Sequence, residues 1–317
     1  MSVGPATPAA TRGAAPLDSA RVARLMRLAT AASVLVAIVL IAVKLGAWVL
    51  TDSVSVLSSL LDSLLDALAS LTNFVAVRHA LTPADREHRW GHGKAESLSG
   101  LAQATFIGGS AMFLFLEAGR RFIDPHAVES GGVGIAVMIF SIVLTLALVM
   151  FQRHVVRATK SVAVRADALH YASDLLLNAS VIVSLVLSMW LGWAAIDPLF
   201  GIGLGLFIMW SAYQIAIESL QALMDRELPD EERAKIRSIA LRHPEVRDIH
   251  DLRSRRSGMN TFIQFHLEMD ANLSLKRAHD IADQVETEIV AAFPNAEVMI
   301  HEDPEGVVEQ HKTFAPG

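Results

Sequence analysis

Six apolar stretches occupy the first two thirds of the chain, and each is about as long as a membrane-spanning helix. In helical form, a bilayer core of about 30 Å requires roughly 20 residues that are mostly apolar. The pattern therefore predicts six transmembrane helices. They are expected at Leu25–Leu50, Val54–Val77, Leu98–Phe122, Val133–Phe151, Val162–Met189 and Pro198–Met224.

The pattern changes after Asp225, where charged residues become frequent and the apolar runs become short. Helical periodicity and alternating apolar positions predict the order helix, strand, strand, helix, strand. These elements are expected at Pro229–Leu241, Val246–Arg255, Thr261–Met269, Leu273–Phe293 and Glu297–His301. The predicted fold is an all-α six-helix transmembrane bundle followed by a small α+β domain.

The same change in pattern divides the chain into four parts. Residues 1–20 are rich in Ala, Pro, Gly and Thr, a composition typical of a disordered arm. We expect the membrane domain at 21–225, the α+β domain at 226–308 and a short C-terminal tail at 309–317.

Composition narrows the class of protein. Of the 317 residues, 52% are hydrophobic, and the mean hydropathy of +0.41 is high for a soluble protein of this size. The net charge of -6, without a basic stretch, argues against nucleic-acid binding. Because the chain has no cysteine, any metal site must use His, Asp or Glu.

Positive charges alternate between the connections of the predicted helices. Lys and Arg cluster before the first helix and after the second and fourth, whereas the connections at 51–53, 124–132 and 192–197 contain none. Cytoplasmic loops are enriched in these residues, so both termini are expected in the cytoplasm. Lys44, Arg120 and Arg121, near the outer ends of their helices, are interpreted as snorkelling to the far interface.

Two predicted transmembrane helices carry ionisable pairs with the same spacing. The second helix contains Asp62 and Asp66, and the fifth contains His170 and Asp174. A spacing of four places both members of a pair on one helix face. Each charge at the bilayer centre costs about 2.5–3.5 kcal/mol on insertion scales, so such pairs are typical of functional sites. Three carboxylates and one imidazole suit a tetrahedral divalent cation, above all zinc; a structural polar network or a proton relay is the alternative.

The chemistry of these ligands couples metal binding to protons. Carboxylates and imidazoles bind metal only when deprotonated, so metal ions and protons compete for the same atoms. A free histidine titrates at about pH 6.5, which makes His170 the leading candidate for a proton carrier. The resulting hypothesis is exchange of a cytoplasmic metal ion for external protons by alternating access.

Two further groups of candidate ligands lie outside the predicted transmembrane helices. Asp85, His88 and His92 follow the second helix as a three-ligand site with an open fourth position; the alternative is a solvated loop with incidental histidines. The α+β domain contains Asp303, whose two oxygens can bridge two ions, and four histidines; packing or surface roles are the alternative. These histidines are His250, His266, His279 and His301. Metal bound there is expected to tighten a dimer and favour transport.

Several runs of the sequence resemble the cation diffusion facilitators, in particular their bacterial zinc and ferrous-iron efflux subfamily. The runs are SVSVLSSLLDSLLDALASLTN, PADREHRWGHGKAES, VRADALHYASD, FIQFHLEM and VMIHEDP, and the resemblance extends from about residue 20 to 310. It implies a homodimer in the bacterial inner membrane with a metallochaperone-like cytoplasmic domain.

The resemblance also implies roles for individual residues. The residues that match the transport site are Asp62, Asp66, His170 and Asp174; those that match a loop site are Asp85, His88 and His92; and those that match a binuclear site are His250, His266, His279, His301 and Asp303. Lys94 and Asp225 match a charge pair that locks helices near the dimer interface. Glu302 stands where close relatives are expected to have Gln, and Asp52 is unexpected at the outer end of the second helix.

The function that the resemblance implies is secondary active transport rather than catalysis. Zinc would be both cargo and regulatory ligand, with protons, the lipid bilayer and a second copy of the chain as partners. One alternative makes iron(II) or cadmium the main cargo, and another makes the protein a membrane-anchored metal sensor. A membrane metalloenzyme is disfavoured because the sequence contains neither a His-Glu-x-x-His run nor a nucleophile elbow.

Overall fold

The computed structural model describes residues 19–52, 54–123, 132–191 and 196–306. Most of the predicted N-terminal arm and the whole predicted tail at 309–317 lie outside the described residues. Ser19 and Ala20, which the composition assigns to the arm, instead begin the first helix.

Six long helices form the membrane domain, as the apolar pattern predicts. Lipid offers no partners to backbone N–H and C=O groups, so a long apolar run satisfies them internally as a helix. The helices are α1 (Ser19–Thr51), α2 (Val54–Ala80), α3 (Lys94–Ile123), α4 (Gly132–Thr159), α5 (Val162–Leu191) and α6 (Ile196–Leu223).

The six helices differ in how apolar they are. Within the described residues, α1, α2, α3, α4 and α6 contain segments that are long and apolar enough to cross a membrane. The first half of α5 is interrupted by Arg165, Asp167, His170 and Asp174. The chain is therefore a multi-pass membrane protein, and its fifth long helix carries ionisable groups within the first half of its length.

The helix that carries His170 and Asp174 lies at the centre of the bundle. α5 contacts the five other long helices, whereas α3 packs mainly against α6, and α1 packs against α2 and α4. Small residues allow the close approach of α3 and α6, since a side chain at Gly205 would collide with the ring of Phe115. The ionisable groups of α5 are thus surrounded by helices rather than facing one side only.

The C-terminal part forms the predicted α+β domain. Its elements are α7 (Asp230–Ala240), β1 (Val246–Ser257), β2 (Asn260–Met269), α8 (Leu275–Ala292) and β3 (Ala296–Pro304). β2 is the central strand, antiparallel to β1 and parallel to β3. The parallel pair needs a crossover connection, and α8 supplies it. The predicted combination of a helical membrane bundle and a small α+β domain is confirmed.

The sheet has one apolar face and one polar face. Ile263, Phe265 and Leu267 of β2 are buried and pack with Ile281 and Ile289 of α8. Side chains alternate along a strand, so His266 lies on the opposite face. The register pairs His250 with His266 and His266 with His301, which aligns three histidines across the sheet.

The hairpin between β1 and β2 contacts the membrane domain. Met259 at its turn packs against a cluster formed by the ends of several helices. The buried members of this cluster are Met26, Ala29, Val77, Val155, Ala163 and Val164. The backbone of Ser257 approaches Gly93 so closely that no larger residue fits at position 93 without a shift. The two domains therefore share a packed contact next to the loop that carries Asp85, His88 and His92.

Candidate metal centres

The first candidate centre lies between α2 and α5. His170 Nε2 is 3.2 Å from Asp66 Oδ1 and 3.9 Å from Asp174 Oδ2. His170 is 4% exposed, and Asp174 Oδ2 is buried without a hydrogen-bond donor among the described residues. One ligand atom from each of Asp66, His170 and Asp174 lies within 4.8 Å of the others. A buried carboxylate oxygen without a donor beside an imidazole is an arrangement that a cation satisfies.

Asp62, the fourth residue that the spacing selects, is placed differently. It lies one helical turn before Asp66 and on the same face of α2, but it is exposed and its carboxylate is not part of the three-residue group. The structure thus brings together three of the four predicted ligands and leaves Asp62 beside them.

A buried polar network supports α5 on the side of α1 and α4. Asp167 Oδ2 accepts hydrogen bonds from Ser33 Oγ at 2.5 Å and from Gln152 Nε2 at 2.7 Å. The hydroxyl of Tyr171 lies 2.7 Å from that of Ser70. Side chains held by several hydrogen bonds lose rotational freedom, so this network fixes the orientation of the helix that presents His170. The recurrence of polar residues on one face of α5 predicts a polar network. The spacing does not show that the partners lie on α1 and α4.

Lys44 is a second residue whose side chain lies elsewhere than the sequence predicts. Its ammonium does not reach toward the far interface but turns to α2, donating to the Ser59 carbonyl at 3.0 Å and to Ser63 Oγ at 2.6 Å. Ser63 is 1% exposed. The interpretation of Lys44 as a snorkelling residue is therefore wrong, because its ammonium is bonded to polar acceptors on α2.

The second candidate centre is the loop after α2. Asp85 Oδ1 is 3.4 Å from His88 Nδ1, and Asp85 Oδ2 is 3.3 Å from His92 Nε2. The backbone N–H of His88, and to a lesser extent that of Glu87, donates to this carboxylate and holds the pKa of Asp85 below its usual range. An ionised carboxylate between two imidazoles, one exposed and one buried, forms a three-ligand group open to solvent.

The third candidate centre lies on the polar face of the sheet. Asp303 Oδ2 is 2.8 Å from His266 Nδ1 and 3.1 Å from His250 Nε2, while Asp303 Oδ1 is 3.1 Å from His301 Nε2. Asp303 is 6% exposed. Each carboxylate oxygen thus faces at least one imidazole, and one ligand atom from each of His250, His266 and Asp303 lies within 4.8 Å of the others. The strand register, rather than proximity along the chain, assembles this group.

Comparisons with known proteins identify the family of the chain. A family model described as the cation efflux transmembrane domain matches residues 30–224, and a model of the cation efflux cytoplasmic domain matches residues 228–305. The chain belongs to the cation efflux family. Its members include the cation diffusion facilitators, so the resemblance inferred from the sequence is confirmed, and the protein is a transporter of cations.

Named relatives cover nearly the whole chain. The cation-efflux pump FieF of Klebsiella pneumoniae is 52% identical over 285 residues, which cover 90% of this chain and 95% of that protein. FieF of Cronobacter sakazakii is also 52% identical over the same shares. A structure described as the zinc form of a putative zinc transporter, CzrB, is 34% identical and covers 27% of this chain and 99% of its own, with a TM-score of 0.25.

His279 and Glu302 are set apart from the third centre of this cation efflux protein. His279 is exposed on α8, where it lies 3.6 Å from Asp283, and it does not join the other histidines within the described residues of one protomer. Glu302 lies between His301 and Asp303 on β3, so alternation turns its side chain to the opposite face of the sheet. A charge at Glu302 therefore does not enter the ligand group directly.

The predicted pair of Lys94 and Asp225 forms, and a third residue joins it. Lys94 Nζ is 3.0 Å from Asp225 Oδ2 and also donates to the Leu223 carbonyl at 3.2 Å. Arg255 of β1 is 3.2 Å from Asp225 Oδ1 and stacks over the ring of Trp90. Partial burial opposes ionisation of Asp225, but the hydrogen bonds from Lys94 and Arg255 outweigh it and hold its pKa below its usual range. The cluster connects α3, the end of α6 and the C-terminal domain of the cation efflux fold.

Proposed function

We propose that the protein exports a divalent metal ion, zinc above all, in exchange for protons. The observation that carries this proposal is the convergence of Asp66, His170 and Asp174 between two transmembrane helices. Secondary active transport requires at least one cation site that is accessible from each side of the membrane in turn. We assign Asp62 as the fourth ligand, because it lies one turn from Asp66 on the same face of α2 and a zinc ion takes four ligands.

The donor set supports zinc as the preferred cargo. Two or three carboxylates with one imidazole suit a borderline cation that accepts four-coordination. Manganese and magnesium prefer six oxygen ligands, so the site disfavours both. Cadmium and iron(II) accept similar donors and are the alternative cargoes.

Proton coupling follows from competition for the same atoms. Each ligand binds metal in its deprotonated form, so a proton-rich compartment favours release and a proton-poor compartment favours binding. For a bacterial inner membrane with both termini in the cytoplasm, this competition drives metal outward. The orientation is supported by the alternation of Lys and Arg between connections.

A transport assay with an imposed pH gradient tests this function. In proteoliposomes containing the full chain, zinc uptake is expected to be several-fold faster when the lumen is more acidic than the medium, and a protonophore should remove the difference. Cadmium should follow zinc, and manganese should be transported poorly. Uptake that is independent of the gradient would indicate a uniporter, and saturable zinc binding without uptake would indicate the membrane-anchored sensor.

We further propose that the C-terminal domain, residues 226–308, senses cytoplasmic metal for a transport domain at 21–225 in a homodimer. Exposed His279 is then available to a second protomer, which would complete the ligand set around His266 and Asp303. The Lys94–Asp225–Arg255 cluster and the Met259 contact connect this domain to the bundle. The loop group at Asp85, which is the second candidate centre, lies beside the same contact and is also assigned as a metal site.

Removing the third centre is expected to weaken regulation without destroying transport. The double variant His266→Ala and Asp303→Ala should lose the steep dependence of transport on cytoplasmic metal and should form a weaker dimer, because metal no longer stabilises the paired domains. Transport rates and the monomer–dimer equilibrium are measured at several zinc concentrations. The matched control is Gln264→Ala, a residue on the same face of β2. A double variant with the parental metal dependence would contradict the regulatory role.

A further inference from the structure

Lys44 is the single charged residue in the apolar half of α1 between Leu28 and Thr51. It lies seven residues before the end of the helix at Thr51, which corresponds to about 10 Å along the helix axis. A lysine that snorkels extends its ammonium to water at the helix end. Here the ammonium donates to Ser59 and Ser63, and Ser63 lies nine residues inside α2. The ammonium is therefore held within the bundle.

The hydrogen bonds hold this positive charge beside the proposed transport site. Ser63 directly follows Asp62 and lies three residues before Asp66. The ammonium attracts Asp66, Asp62 and Asp174 electrostatically. Within the described residues, however, Lys44 donates to neutral oxygens of α2 and forms no ion pair with these carboxylates. The carboxylate oxygens remain available to a metal ion while the charge stays close.

We propose that Lys44 is the built-in counter-ion of the transport site and that it sets the metal affinity low enough for release. The inference rests on the proposed function, because it takes Asp62, Asp66 and Asp174 as the acidic groups around the cargo. These carboxylates carry three negative charges, which a divalent ion and one ammonium neutralise together. Without the ammonium, the occupied site retains one negative charge and holds the metal more tightly. Like charges repel over several ångströms in a medium of low dielectric constant, so the ammonium also opposes the bound cation directly.

Three substitutions separate the charge from the hydrogen bonds. Lys44→Met removes both, Lys44→Gln keeps a donor without charge, and Lys44→Arg keeps the charge. Initial rates of zinc uptake in proteoliposomes are measured over a range of zinc concentrations. We expect KM to fall roughly tenfold in the Met and Gln variants, with a fall in kcat because release becomes slow, and to stay within about threefold of the parent in the Arg variant. A residue that only stabilises the fold would lower kcat without lowering KM.

Several results would overturn the inference. One is a KM that is unchanged or raised in both neutral variants. Another is a Gln variant that behaves as the parent, because the hydrogen bond alone would then explain the role. Ser63→Ala removes one acceptor but leaves the charge and the bond to the Ser59 carbonyl, so its KM should stay closer to that of the parent than the KM of the Gln variant does. An equal fall in both variants would contradict a charge effect. If Lys44→Met does not assemble, as judged by size-exclusion chromatography, the Gln and Arg variants decide.

The two proposals fail in different ways. If Asp66→Asn transports zinc as the parent does, the assignment of the transport site is wrong and the inference about Lys44 falls with it. If Asp66→Asn is inactive but the neutral Lys44 variants keep the parental KM, only the role of Lys44 is wrong. The same liposome assay provides both answers.

Discussion

Replacing Asp174 with asparagine is expected to reduce zinc export by about 100-fold or more. Asparagine has nearly the same volume as aspartate, so the packing of α5 is retained while one anionic ligand is lost. Changes to groups that only support a metal ligand already cost about 10- to 100-fold in affinity or activity, and Asp174 is proposed to touch the metal itself. Zinc uptake by proteoliposomes, together with equilibrium zinc binding, measures the loss.

The variants Asp66→Asn and Asp62→Asn extend this test. Asp66 Oδ1 lies 3.2 Å from His170, so its replacement should match that of Asp174. The carboxylate of Asp62 lies outside the three-residue group, so its loss should act in the same direction with a smaller effect. Asp230→Asn, on the exposed start of α7, is the control and should export zinc at the parental rate. Parental export by Asp174→Asn would refute the assigned site.

Zinc affinity of the transport site is expected to rise steeply with pH. Protons and metal compete for the same ligand atoms, so each proton that the metal displaces adds about tenfold in apparent affinity per pH unit. The sign is fixed: affinity is higher at higher pH, where the ligands are deprotonated, and it falls as protons return. Zinc binding is measured between about pH 6 and 8, a range that brackets the ordinary titration of imidazole at about 6.5.

The slope of the logarithm of zinc affinity against pH equals the number of protons that zinc displaces. We expect His170→Gln to reduce this slope by about one. The measurement uses the full chain with His266→Ala, Asp303→Ala and His92→Ala, so that neither the centre on the sheet nor the loop group contributes. His243→Gln changes a half-buried histidine that contacts Gln284 on α8; it is the matched control and should leave the slope unchanged. An affinity that does not vary with pH would contradict proton-coupled exchange, and an unchanged slope in His170→Gln would remove His170 as the proton carrier.

The sequence was most informative about the transport site. The spacing of four in both Asp62–Asp66 and His170–Asp174 defines two helix faces, because helical geometry is local. The two faces meet only because α2 packs against α5. Asp66, His170 and Asp174 come together there, whereas the carboxylate of Asp62 stays outside the group. The candidate ligands were thus accessible from the chain, whereas their grouping required the tertiary structure.

The third centre shows the same division. Its histidines are distributed over about 50 residues of sequence, and their count predicts a metal site without saying which of them meet. The register of three strands places His250, His266 and His301 side by side, and alternation along β3 adds Asp303 and excludes Glu302. His279, on α8, is not brought to the group within one protomer. Strand register depends on long-range pairing and on burial of one face, so local patterns do not determine it.

The sequence alone therefore determined the class of the protein: long apolar helices, ionisable pairs within them and a polar C-terminal domain, all of which follow from local composition and spacing. Tertiary structure decided the partners of each charge. Lys44 is the clearest example, since its surroundings in the chain are uniformly apolar and predict an ammonium at the interface. Only the packing of α1 against α2 provides Ser59 and Ser63 as acceptors. In an apolar medium a charged group is stabilised by the polar groups within its reach. Which polar groups lie within reach depends on how the helices pack.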